Sequence, residues 1–122
     1  ISGGIAESQL IANLASYYGA RVVPHVCAGP VSLAANLALA ATVHAIRAIE
    51  YPLSLIPAWD ALGVGAPLGP DALEGGSIAI PSGPGLGVRL AEDVAAEHPY
   101  RAPGARVAGT VGGLPDRFVG DR

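Results

Sequence analysis

The chain has 122 residues, enough for one domain of ordinary size. It is 51% hydrophobic and only 14% charged, a core-rich balance that excludes a disordered polymer. Its formal net charge is −3 and its seven basic residues are all arginines, scattered singly, so no basic patch points to nucleic acid or to an anionic membrane. The longest apolar run, residues 37–43, is interrupted by Thr42 and falls far short of the roughly 20 residues that span a bilayer.

No secretory signal pattern opens the chain. There is no Met at all, and ISGGIAE reads as a strand end passing into a turn and a helix. We therefore expect the C-terminal part of a longer protein. Ser2-Gly3-Gly4 is a breaker. From there Ile5, Leu10, Ile11, Leu14, Ala15 and Tyr18 recur mostly at steps of three and four, which predicts a helix with one apolar face. Gly19 follows as its C-terminal cap. Val22-Val23 opens a short buried strand over residues 22–26, with His25 near its end. Cys27 is the single cysteine; it cannot form an internal disulfide, which suits a cytoplasmic protein. Gly29-Pro30 opens the next helix, with Pro in the first turn and Ser32 as a candidate cap. Val31, Leu33, Ala34, Leu37, Ala38 and Ala41 suit a helix pressed closely on a sheet. A second buried strand is predicted over residues 46–50, ending at Glu50 and closed by Tyr51-Pro52.

Helix, strand, helix, strand with short loops is the rhythm of βα repeats, and the crossover is long enough to join parallel neighbours. After Pro52 the rhythm fails. Residues 53–73 carry Pro57, Pro67 and Pro70 among isolated apolar residues and read as an irregular segment. Glu74-Gly75-Gly76 is a turn, residues 77–81 a short strand, residues 82–88 a Gly/Pro loop, and residues 90–98 a short amphipathic helix. Residues 102–122 hold five Gly and two Pro and read as a loose tail. The expected organisation is residues 1–73 as βα units followed by an irregular segment, 74–101 as a strand, Gly/Pro loop and helix, and 102–122 as a flexible tail.

In a parallel α/β sheet or barrel the C-terminal strand ends share one face, and chemistry gathers there. The two predicted strands thus deliver an imidazole, His25, and a carboxylate, Glu50, to a common mouth. On pattern alone a lone His at a strand end is more often structural, and Glu50 competes as a buried, paired structural carboxylate. His44 at a helix C-terminus suits the helix dipole, and His98 before Pro99 reads the same way. Cys27 lies at the mouth without a paired base and reads as an inert small residue. Residues 83–87, GPGLG, follow a strand and precede a helix as a phosphate loop would. They lack the third glycine at the required spacing and an acidic residue about twenty positions on, and Pro84 removes a donor.

Taken together and in order, SGGIAE, VVPHV, SLAANLALAA, IEYP and GGSIAIPSGPGLGV resemble the C-terminal end of the mandelate racemase-like branch of the enolase superfamily, over about residues 1–98. The closing PSGPGLGV is the most recognisable piece. The resemblance implies an α/β fold, the C-terminal portion of a modified (β/α)7β TIM barrel, with the N-terminal α+β capping domain absent from this chain. It implies a Mg²⁺ ion, held by acidic ligands upstream and none in this chain, which stabilises an enediolate formed by proton abstraction α to a carboxylate. By position, His25 matches the seventh-strand base and Glu50 the eighth-strand Glu that hydrogen-bonds the developing enolate. The carboxylate that orients the base would sit just before Ile1. An imidazole suits such a base, with an ordinary pKa of about 6.5, and a protonated Glu50 in a dry pocket would donate to the anion.

The implied activity is an acid-sugar dehydratase acting on a small-molecule carboxylate such as a sugar acid, in a homo-oligomer with no nucleic-acid or membrane partner. A racemase, epimerase or cycloisomerase of the same superfamily is the alternative. A non-catalytic fragment or interaction module is the alternative of another class, and the 122 residues alone are expected to be inactive.

Overall fold

A computed structural model of the chain describes residues 2–65 and 68–99, together with two short strands further on. Helix α1, Ile5–Tyr17, ends in a Schellman arrangement: Gly19 at φ 71° sends its N–H to Ser16 O at 3.0 Å, and Ala20 N–H reaches Ala15 O at 2.9 Å. The cap expected at Gly19 is therefore present. The expected inward face of α1 is not. Leu10, Leu14 and Tyr18 are 64%, 61% and 76% exposed, and the one buried residue of the helix is Ala12. The small Ala12 lets α1 approach α2, and among the described residues the large apolar side chains find no opposing surface.

Helix α2, Pro30–Thr42, starts at Gly29 with Pro30 in its first turn, where a missing N–H costs nothing. No side chain caps it. Ser32 lies inside the helix, and its carbonyl accepts the Asn36 side-chain amide at 2.8 Å, so the capping role expected for Ser32 is not filled. The helix serves two apolar clusters. Leu33, Ala34 and Leu37 pack with Val26, Ile56, Trp59 and Leu68. Leu39 packs with Ala12, Val43, Ala45 and Ile46.

The two expected strands run side by side as extended segments, joined by a single parallel bridge between Val22 and Ile46. Pro24 interrupts the ladder because it has no N–H to donate. The rhythm of parallel βα units is thus present, with much less regular pairing than the pattern suggested.

Residues 53–73 depart most from expectation. They hold a third helix, α3, Ile56–Leu62, with Pro57 in its first turn, a position Pro tolerates. Reading residues 53–73 as irregular was the error here; Ile56, Ala58 and Trp59 are all buried on this helix. Strand β1, Gly63–Val64, follows, then a 3₁₀ turn, Pro70–Ala72, and strand β2, Leu73–Glu74. The Gly75-Gly76 turn has φ of 57° and 81°, the conformation that a tight two-residue hairpin demands, and it joins β2 to antiparallel β3, Ser77–Ile78. That strand is shorter than the expected 77–81. Strand β4, Arg89–Leu90, pairs antiparallel with β1, and α4, Glu92–Glu97, starts two residues later than expected and buries nothing. Of the expected tail, only the antiparallel pair β5, Thr110–Val111, and β6, Leu114–Pro115, is described; the rest lies outside the described residues. Among the described residues no helix is long and apolar enough to cross a membrane.

Tyr51 fastens the irregular segment to the βα unit. Its O–H donates to Leu68 O at 2.8 Å and Gly69 O at 2.7 Å. Burial, and then the Asp60 carboxylate, raise its pKa above 10.0. Tyr51→Phe leaves these carbonyls without their donor, and the expected cost is about 1–3 kcal/mol of unfolding free energy, read as a lower midpoint in urea at unchanged slope.

Candidate active site

Side chains along residues 22–26 alternate as a strand requires: Val22, Pro24 and Val26 turn inward, Val23 and His25 outward. Val26, at 1% exposure, roots the end of the segment in the main apolar cluster. His25 therefore stands on the open side of a fixed backbone. Its neighbouring segment brings Glu50 to the same place. From the Val22–Ile46 bridge, regular parallel pairing would send the N–H of residue 49 to Pro24 O. The donor is instead Glu50 N–H, at 3.4 Å. The segment has slipped by one residue, and the slip carries the Glu50 side chain alongside Val26.

There Glu50 Oε2 accepts the Val26 N–H at 3.0 Å and also pairs with His25 Nδ1. The Val26 N–H is the main cause that holds the Glu50 carboxyl below its ordinary value of 4.5; partial burial opposes it, and His25 adds a hydrogen bond and charge on the lowering side. Ionised Glu50 is acceptor-only, so His25 Nδ1 donates in this contact, and Nε2 is the ring nitrogen that Glu50 does not engage. The side chains of His25 and Glu50 are 74% and 47% exposed. Among the described residues the Glu50 carboxyl is half exposed and is engaged as an acceptor by His25 and by the Val26 N–H.

Beside His25 lies a largely apolar cleft of about 570 Å³ between α1 and α2, lined among others by Cys27, Ser32, Asn36 and Ile11. Cys27 is exposed at this mouth, as its position suggested. His44 lies past the end of α2, and its Nε2 accepts from Arg47 Nη2 at 2.7 Å, an exposed contact away from the site. His98 caps α4, its N–H bonded to Ala95 O at 3.1 Å. Residues 83–87 close a turn, with Gly87 N–H on Pro84 O at 3.2 Å, and lead into strand β4. The strand-loop-helix context of a phosphate loop is therefore missing.

Among the described residues no three His, Cys, Asp or Glu side chains come together in a group that could hold a metal ion. These residues do not fit a Mg²⁺ site. Sequence reasoning overlooked one functional group, the Val26 N–H that fixes Glu50. Its signal was Pro24, two residues earlier, which breaks the ladder just where the carboxylate enters.

Residues 2–94 match the family described as enolase C-terminal domain-like. The chain is similar to D-galactarolactone cycloisomerase of Agrobacterium fabrum, 34% identical across 83% of this chain and 27% of that enzyme. It is 32% identical to D-gluconate dehydratase of Thermoproteus tenax, across 82% of this chain and 19% of the dehydratase. The crystal structure of a mandelate racemase/muconate lactonizing enzyme from Jannaschia sp. CCS1 superposes with a TM-score of 0.67 at 37% identity, over 82% of this chain and 24% of that one. The chain thus spans less than a third of the length of these relatives. With the paired helices, the parallel bridge and the matched residues all in agreement, the chain belongs to the enolase superfamily, in its mandelate racemase-like branch, as part of the enolase C-terminal domain-like fold.

Proposed function

We propose that the protein carrying this chain is an acid-sugar dehydratase that removes the proton α to a carboxylate and then expels a β-hydroxyl as water. The observation that carries the reading is the His25–Glu50 pair at the ends of two adjacent parallel segments, in a chain of this superfamily. His25 is the base. Its free Nε2 takes the α-proton, the C–H electron pair moves into the substrate, and the imidazolium is matched by the Glu50 carboxylate. His25 then returns that proton to the β-oxygen, the C–O bond breaks, and water leaves. The resulting enol rearranges to a 2-keto-3-deoxy acid. The similarity to a gluconate dehydratase supports a sugar acid as substrate. A cycloisomerase is the second reading, favoured by the relative at 34% identity, and it uses the same first proton transfer.

The test is incubation of the protein from its full reading frame with a panel of sugar acids in D₂O. The expected result is a 2-keto-3-deoxy product from at least one acid. Isomerised product without loss of water would move the assignment to the second reading. No α-exchange with any acid would overturn both.

A further inference from the structure

We propose that Tyr51 is a positioning residue for Glu50: its O–H, tied to the carbonyls of Leu68 and Gly69, fixes the stretch of chain from which the Glu50 carboxyl meets His25. This role rests on the reading of His25 and Glu50 as the reactive pair and leaves the part each plays unchanged. What it adds is the group that sets the place of Glu50.

Three observations carry it. Glu50 and Tyr51 are consecutive in an extended segment, so their side chains leave on opposite sides. Glu50 accepts the Val26 N–H at 3.0 Å, while the Tyr51 O–H donates to Leu68 O at 2.8 Å and Gly69 O at 2.7 Å. The dipeptide is held from both faces. The second observation is that the two anchors share one foundation. Val26 and Leu68 are each 1% exposed and lie in one cluster with Leu33, Ile56 and Trp59, against which Tyr51 also packs. The contacts therefore close a ring: Glu50 to Val26, Val26 through the cluster to Leu68, Leu68 to Tyr51, and Tyr51 through its peptide bond back to Glu50. The acceptors are themselves fixed. A Cβ at Gly69 would lie 2.7 Å from Asp60 Oδ1, so this backbone sits directly against α3. The third observation is the weak ladder toward residues 22–26. Pro24 has no N–H to give, and the Glu50 N–H reaches Pro24 O only at 3.4 Å, longer than an ordinary backbone bond. On that side the backbone holds Glu50 loosely, and the side-chain anchor at Tyr51 carries the placement.

The experiment uses the protein from its full reading frame, labelled with ¹⁵N-valine, and compares wild type with Tyr51→Phe and Ile78→Ala. Phenylalanine keeps the ring in its packing and removes only the O–H. Ile78 packs on the same cluster from β3 and serves as the control for lost stability. The proton shift of the Val26 amide reports whether Glu50 still accepts from it, and steady-state kinetics separate kcat from KM. In Tyr51→Phe the Val26 amide proton should move upfield and kcat should fall about 10-fold, inside the roughly 10²-fold that a misplaced group can cost, with KM little changed. Ile78→Ala should lose at least as much stability in urea while the Val26 shift and kcat stay at their wild-type values. Should a variant be too unstable to assay, trimethylamine N-oxide, which favours the folded state, is added to every sample. A wild-type kcat in Tyr51→Phe, or a Val26 amide that does not move, would overturn the inference. So would an equal loss of kcat in Ile78→Ala, which would make Tyr51 one structural contact among others. Glu50→Gln separates the two layers. Wild-type kcat there removes the reactive pair and the positioning role with it, whereas lost kcat there beside an unaffected Tyr51→Phe removes only the positioning role.

Discussion

His25→Asn, in the protein expressed from its full reading frame, is expected to abolish α-proton exchange on the side of the substrate that His25 serves. Asparagine can still donate to Glu50 from its amide, so the local hydrogen bond survives. What it lacks is the second ring nitrogen. In the structure Nδ1 is occupied by the Glu50 carboxylate, and Nε2 is the ring nitrogen that Glu50 does not engage. A positioned base contributes about 10²–10⁴-fold, and a loss of that size is expected in the exchange rate, followed by NMR of the substrate in D₂O. Substrate affinity should change little, because His25 is asked to bind a proton rather than the ground-state acid. Exchange at the wild-type rate would place the base elsewhere.

The second large effect is on stability. Trp59→Ala should destabilise the protein by about 3–5 kcal/mol, the usual range for a buried Trp cut back to Ala. Trp59 is 6% exposed and packs in the cluster that also holds Val26, Leu33, Leu37 and Ile56. Its loss leaves a cavity beside the segment that carries His25, and the rigid backbone around it relaxes only in part. A chemical-denaturation midpoint shows the effect. Because Val26 shares the cluster, activity should fall as well, through loss of the fixed strand end rather than of any group that touches substrate. A midpoint close to wild type would mean that α3 does not cover this core.

The two halves of the chain differ in how much they disclosed. Helices α1 and α2 and the extended segments between them are readable from 3.6-residue spacing, Gly19 and Gly29-Pro30, because local chemistry and tertiary placement agree there. Agreement ends at Pro57. A proline in a first helical turn and a proline that stops a helix look alike in sequence, and what separates them is whether Trp59 has a core to enter. The hydrophobic face of α1 misled in the opposite sense. Spacing shows that residues share a face, but which face is covered depends on a neighbour, and here Ala12 touches α2. At the site, His25 and Glu50 stood out by type and place. Their direct contact did not, since it depends on a one-residue slip between segments and on the donor that Pro24 lacks. The charge state of Glu50 was hidden for the same reason: it follows from the Val26 N–H, and no side-chain pattern reports a backbone amide.

Helix α1 carries one further consequence. Its only buried residue is Ala12, so among the described residues peeling it away uncovers the smaller cluster of Leu39, Val43, Ala45 and Ile46 and leaves the Trp59 cluster covered. The free energy of that local opening is therefore small beside that of disrupting the Trp59 cluster, and the unit does not open as one cooperative block. The Schellman turn at Gly19 marks the seam. On one side lies a helix that can come and go; on the other lies the strand that holds His25, anchored at Val26 whether or not the helix is in place.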